Sequence, residues 1–270
     1  MAVQKIAFWK MSGAGNDFVL LSGRKHSSAA LKKLALRLCA PKTAVGADGL
    51  LYVNKAGAGR VSVRYLNRDG SEVFCGNGSR CAAWWAYRTG LAGKKEFSLV
   101  TRKGVLPVKI TAVESVRMRM PDVCAVALRF KGKYPAGVKL VHFLDTGVPH
   151  AVVPVGDIEK TDVRGLGRAL RRNRAFGPGG TNVNFVKVRA GRVLVRTYER
   201  GVEDETLACG TGITASAVAL VLAGAVKPPV RLLARSGEKF RVWLTPSGAG
   251  ACGIFLQGPA KIVFKGDIPA

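Results

Sequence analysis

Histidine is scarce in this chain, with three among 270 residues, and the six cysteines include no C-x-x-C pair. Metal centres built on imidazole and thiolate need such donors at close spacing, so no metal is expected. No run of about 18 apolar residues occurs, which leaves no helical membrane span to expect. The opening Met1–Lys10 (MAVQKIAFWK) lacks the apolar stretch of a signal peptide, and the protein reads as cytoplasmic. Acidic residues are few, 17 against 43 Lys and Arg, for a net charge of +26. Such a balance suits phosphate contacts. The basic residues are spread along the chain, however, with local clusters at Lys32–Lys33 and from Arg168 to Arg174. Neither zinc-finger spacing nor an aromatic-plus-glycine RNA signature accompanies them. A dedicated nucleic-acid function is not expected, and steering of an acidic substrate is a more modest use of the charge.

What is present supports a folded core. The hydrophobic fraction is 48%, and the length suffices for one large domain or two modest ones. β-rich stretches dominate: Val3–Phe8, Val61–Leu66, Val105–Ile110, Val193–Tyr198, Phe240–Leu244 and Lys261–Phe264. Helices are expected at Ser27–Cys39, behind the N-cap candidates Ser27 and Ser28, and at Thr161–Asn173 with a basic exposed face. Two more are expected at Gly78–Arg88 and Gly212–Ala223, stopped by Gly90 and Gly224. The last is apolar almost all round and should be buried on every side.

These two helices share an entry. One begins through Cys75-Gly-Asn-Gly78 after the polar stretch Asp69–Glu72, the other through Cys209-Gly-Thr-Gly212 after Glu203–Thr206. The two units lie about half the chain apart, which points to an internal duplication. A helix N-terminus presents unpaired N–H groups and a positive dipole end. A cysteine there has its thiolate favoured, and the same amides suit a carboxylate. Two such units face to face would place the carbon beside a carboxylate between two sulfurs. One, as thiolate, removes the α-proton; the other, as thiol, returns one to the opposite face, inverting the centre without a cofactor. The two titrations would be coupled. The competing readings, a disulfide or two core residues, are disfavoured by a reducing compartment and by the polar, Gly-rich flanks. Cys39, Cys81, Cys124 and Cys252 lie in apolar or β-rich surroundings and read as buried structural residues.

The chain resembles the diaminopimelate epimerases through nearly its whole length. The motifs are Phe8–Phe18 (FWKMSGAGNDF), Val45–Gly49 (VGADG), Asn67–Glu72 (NRDGSE), Cys75–Cys81 (CGNGSRC), Thr146–His150 (TGVPH), Gly180–Phe185 (GTNVNF) and Tyr198–Thr206 (YERGVEDET) before Ala208–Gly212 (ACGTG). The resemblance implies an α/β (α+β) fold of two similar lobes related by pseudo-twofold symmetry, each a strongly curved, mostly antiparallel sheet around a central helix. Residues 1–121, completed by 259–270, would form the lobe carrying Cys75, residues 122–258 the lobe carrying Cys209, with the active site in the cleft between. It also implies interconversion of LL- and meso-diaminopimelate without pyridoxal phosphate, in lysine and peptidoglycan-precursor synthesis, by a homodimer.

By that resemblance Cys75 and Cys209 are the catalytic bases. Gly76, Asn77, Gly210 and Thr211 cradle the reacting carboxylate, and Asn16 contacts the reacting end. Asn67, Asn182 and Arg200 hold the distant amino-acid end, and His150 and Glu199 line the site and tune the thiols. The planar fork of Arg200 suits a second carboxylate, and the asparagines suit an ammonium and a carboxylate held together. Blander roles stand beside these. Asn16 and Asp17 follow Gly13-Ala-Gly15 and suit a turn, His150 suits a structural hydrogen bond, and Glu199 suits a pair with Arg196 or Arg200. The chain departs from the family at Gly49, where some members have Gln, and at Val148, where some have Asn. It looks one residue short between Glu72 and Cys75, and Ala40–Lys42 lacks the acidic–basic pair often seen there. A proline-racemase-like enzyme is the nearest alternative, and it would not need a grip on a distant carboxylate. The paired cysteines argue against a phenazine-pathway-like isomerase.

Overall fold

The computed structural model describes residues 5–269. The chain divides into two compact units. Among the described residues the first runs through Met118 and takes in the segment from Gly258, and the second is Arg119–Gln257.

The first unit contains β1 (Lys5–Gly13), β2 (Asn16–Ser22), β3 (Gly49–Lys55), β4 (Arg60–Asn67), the short β5 (Glu72–Val73), β6 (Glu96–Thr101), β7 (Gly104–Ala112) and β8 (Ser115–Arg119). The second contains β9 (Val126–Ala127), β10 (His142–Asp145), β11 (Pro149–Pro154), β12 (Asn182–Arg189), β13 (Arg192–Glu199), β14 (Asp204–Thr206), β15 (Val230–Ala234), β16 (Lys239–Ser247) and β17 (Gly250–Pro259). The chain then returns to the first unit as β18 (Lys261–Pro269), which pairs antiparallel with β1.

Register reveals the duplication. In the first unit β2 pairs parallel with β3, β3 antiparallel with β4, β4 parallel with β6 and β6 antiparallel with β7. The second unit repeats those four relations in β11, β12, β13, β15 and β16. Each parallel pair is bridged by a helix, as parallel strands require: α1 (Ser28–Leu38) between β2 and β3, α2 (Gly76–Arg88) before β6, α3 (Val163–Arg171) before β12 and α4 (Gly210–Leu222) before β15. Each sheet curves around its central helix. α2 contacts β1, β2, β3, β4, β7 and β18, and α4 contacts β10, β11, β12, β13, β15 and β16. The apolar sequence of α4 is thereby accounted for, with Ile213, Val218 and Leu220 all buried. At about 1.5–3 kcal/mol for each large side chain buried, the three anchor the helix by several kcal/mol.

The expected strands from residue 61 onward fall inside β4, β7, β13, β16 and β18, the last running on to Pro269. Of Val3–Phe8, residues 3 and 4 lie outside the described residues. Both central helices begin two residues earlier than the apolar pattern indicates, at Gly76 and Gly210. Glycine carries no periodic signal, and the early start makes Cys75 and Cys209 the N-caps. One cysteine expectation fails: Cys39 and Cys81 are fully buried, but Cys124 is exposed and Cys252 only partly covered. Val123 bridges to Ala251 and points inward, so in extended chain its neighbour Cys124 points out.

Candidate active site

In the first unit Cys75 caps α2 in extended conformation (φ −131°, ψ 113°), and its Sγ accepts a hydrogen bond from the Gly78 amide at 3.3 Å. Behind it runs a polar chain. Asn16 Nδ2 donates to Asp48 Oδ2 at 2.9 Å, Asn77 Nδ2 to Asn16 Oδ1 at 2.7 Å, and Arg80 Nη2 to Asn77 Oδ1 at 2.5 Å. Arg80 is wholly buried and also donates to the Gly76 and Pro259 carbonyls. Asn16 therefore does more than shape the turn at Ala14 and Gly15: it opens β2 and ties the capping loop of α2 to Asp48. Asn67, at the end of β4, donates to Ser71 Oγ at 2.9 Å, and its amide donates to the Ser71 carbonyl. Gly49, which pairs with Asn67, admits no side chain, because a Cβ would come within 2.4 Å of the Leu66 carbonyl oxygen.

In the second unit Cys209 caps α4 in nearly the same conformation (φ −119°, ψ 113°). It is buried, and its Sγ lies 3.3 Å from Thr211 Oγ1. Burial, and then the Glu199 carboxylate, push its pKa up to about 12. The Thr211 hydroxyl and the nearby amides of Gly212 and Thr211 oppose that rise without the alignment of a cap bond. Asn182 accepts from the Arg200 amide at 2.8 Å and donates to the Pro149 carbonyl. That fixes Arg200 at the end of β13, where Nη1 also reaches the Gly179 carbonyl at 3.4 Å. Arg196 pairs with Glu205, at 2.7 Å. His150 is fully buried, with Nδ1 3.0 Å from Asn184 Nδ2. Burial, with Arg200 second, lowers its pKa to about 3, so the ring is neutral.

The structure thus gathers Asn16, Cys75, Gly76 and Asn77 at one helix start, and Glu199, Cys209, Gly210 and Thr211 at the other, with His150 and Asn182 on the flanking strands and Arg200 in the turn just beyond β13. Four polar side chains in these groups escaped the sequence reading: Asp48, Arg80, Asn184 and Thr197. The alternation Asn182-Val-Asn184 was a usable signal, since it puts both asparagines on one face of β12. Among the described residues no group of three or more His, Cys, Asp or Glu is placed to hold a metal, and no helix is long and apolar enough to cross a membrane.

Comparison with known proteins fits this geometry. The family model for diaminopimelate epimerase matches residues 8–126 and 142–263. The chain belongs to the diaminopimelate epimerase family. The diaminopimelate epimerase of Aquifex aeolicus is 40% identical, with 97% of each chain covered. That of Chlorobaculum tepidum is 37% identical over 96% of this chain and 99% of the relative. Among solved structures, a Bacillus anthracis phenazine biosynthesis protein of the PhzF family superposes with TM-score 0.77 at 14% identity, covering 98% of this chain and 99% of that one. A probable proline racemase from Agrobacterium radiobacter gives 0.72 at 17% identity, over 97% and 92%. These last two establish a shared fold with this diaminopimelate epimerase family member and nothing finer.

Proposed function

We propose that this protein interconverts LL- and meso-2,6-diaminopimelate by passing an α-proton between Cys75 and Cys209, without a cofactor, in lysine and peptidoglycan-precursor synthesis. The observation that carries the reading is the repeated cap: in each unit a cysteine in matching backbone conformation begins the buried central helix. In this reading the α-carbon lies between the two sulfurs and its carboxylate rests on the helix-start amides of Gly76, Asn77, Gly210 and Thr211. Those amides stabilise the charge that grows as the proton leaves. Asn16 holds the reacting end through the Asn77 chain. Arg200, with Asn67 and Asn182, grips the distant carboxylate and ammonium, and that second grip separates diaminopimelate from a simple amino acid.

His150, neutral, and Glu199, beside Cys209, set the electrostatics around the thiols. The reading also takes in a homodimer, tested by sedimentation, and a reducing cytoplasm in which both thiols stay free. Turnover in D2O tests the chemistry. Deuterium enters the α-position of product as it forms, and product formed without label at that carbon would sink the mechanism.

A further inference from the structure

Behind α4 three buried side chains form a closed polar set. Asn184 lies with Nδ2 3.0 Å from His150 Nδ1 and 3.2 Å from the Ala151 carbonyl oxygen, and the Thr197 hydroxyl donates to Asn184 Oδ1 at 3.0 Å. None of the three is more than 3% exposed. The set touches the catalytic helix directly. A Cβ at Gly212 would fall 2.2 Å from Asn184 Oδ1 and 3.4 Å from Cys209 Cβ, so glycine is needed there for the amide to fit.

The Ala151 carbonyl fixes the orientation of the Asn184 amide, because a carbonyl only accepts and the reversed amide would set two oxygens together. Its NH2 group therefore faces both that carbonyl and His150 Nδ1. Nδ1 must accept, and a neutral ring then carries its proton on Nε2. His150 Nε2 is itself buried and has no hydrogen-bond partner among the described residues. A buried donor left unmet is costly, and a ligand atom that accepts from it recovers that cost.

We propose that Asn184, held by Thr197, is a positioning residue that locks His150 as the Nε2–H tautomer, so that the ring serves as a hydrogen-bond donor and not as a base. A base at this position would compete with the thiolate for the α-proton. The catalytic consequence rests on the epimerase reading, whereas the tautomer is a property of the protein alone.

Long-range 1H–15N spectra of 15N-histidine-labelled protein, with a His150 substitution to assign the signal, read the tautomer without substrate. The wild type is expected to show protonated Nε2 and unprotonated Nδ1 from pH 8 to pH 5. Asn184→Asp, equal in size, replaces the donor by an acceptor and moves the proton to Nδ1. Asn184→Asp and Asn184→Leu lower kcat by about 10- to 100-fold with KM nearly unchanged, a range carried over from groups that orient metal-bound imidazoles. A wild-type Nδ1–H tautomer, measurable even if no variant folds, overturns the inference, as does a flipped tautomer with unchanged kcat. An Nε2–H tautomer that flips as expected, in a protein that does not epimerise diaminopimelate, overturns the proposed function and leaves the lock standing.

Discussion

Under the start of α2 lie Phe18, Leu51 and Tyr65. Under the start of α4 the same register positions hold His150, Asn184 and Thr197. The first trio is mainly carbon at its contacts: Phe18 lies edge-on to Tyr65 at 5.6 Å between centroids, and its one side-chain polar group, the Tyr65 hydroxyl, donates to the Asp48 carbonyl at 3.4 Å. Leu51 and Phe18 approach Gly78 as Asn184 approaches Gly212. A second exchange sits one turn along each helix. Arg80 donates to the Gly76 carbonyl, and at the matching place Thr214 donates to the Gly210 carbonyl at 3.0 Å. Duplication has therefore kept the backbone frame and the capping cysteine in both units while the layer beneath diverged. A buried cation lies behind Cys75, whereas an anion, Glu199, acts on Cys209. A frame that tolerates both layers leaves the two sulfurs free to differ, and proton transfer in two directions needs one to start with its proton and the other without.

The largest expected effect tests whether the shared cap outweighs the unlike layers. Cys75→Ala and Cys209→Ala should each lower the epimerisation rate by about 10⁴-fold, the upper range for one positioned acid or base. Full activity in either single variant would break the two-base reading. The next effect separates the layers by stability. Arg80→Met keeps volume but removes three hydrogen bonds, to Asn77 Oδ1 and the carbonyls of Gly76 and Pro259, and should cost about 3 kcal/mol in urea unfolding, at about 1 kcal/mol each. Thr214→Val, on the other side, should cost about 1 kcal/mol or less. Equal losses would mean that the cation contributes nothing beyond its hydrogen bonds to one carbonyl.

The duplicated entry was legible in the sequence because cysteine, glycine and helix starts are local signals. The strands with clean alternation, such as β4 and β13, were legible for the same reason. The layer beneath was not. Phe18, Leu51 and Tyr65 come from three strands, and nothing in one-dimensional spacing pairs Phe18 with His150 or Leu51 with Asn184; only register does. Arg80 was hidden differently. A lone arginine in an alanine-rich helix reads as surface, and its burial becomes visible only with the Asn16–Asn77 chain that receives it. Cys124 was misjudged because apolar neighbours do not say which way an extended chain turns each side chain.

A smaller effect distinguishes the two layers by pH. His150 titrates near 6.5 in the unfolded chain and at about 3 in the folded one. Below pH 6.5 the unfolded state takes up a proton that the folded state refuses, so stability conferred by the neutral ring is full above 6.5 and falls as pH drops toward 3. His142, also lowered by burial, adds a slope of the same sign. Between pH 6.5 and 4.5 His150 alone should account for a loss of about 2 kcal/mol. The variant His150→Phe/Asn184→Leu, which installs the residues of the first unit, should remove that share and leave the slope from His142. An unchanged slope in denaturant melts would show that the ring is not buried as a neutral group.

The smallest expected effect concerns the anion on one side only. Burial is the main cause of the raised Cys209 pKa and Glu199 the second. Glu199→Gln removes the charge and keeps the shape, so the Cys209 pKa falls from about 12 while staying above that of an open thiol. Alkylation of Cys209 by iodoacetamide at pH 8, followed by peptide mass mapping to separate it from the exposed Cys124, should speed up by up to about tenfold. The rate at Cys75, capped by the Gly78 amide in its own unit, should hold. If both rates rise together, Glu199 acts on the two sulfurs alike, and the electrostatic difference between the units collapses to the buried layers alone. A rise confined to Cys209 shows that the carboxylate serves one thiol, keeping it protonated so that it can give its proton away.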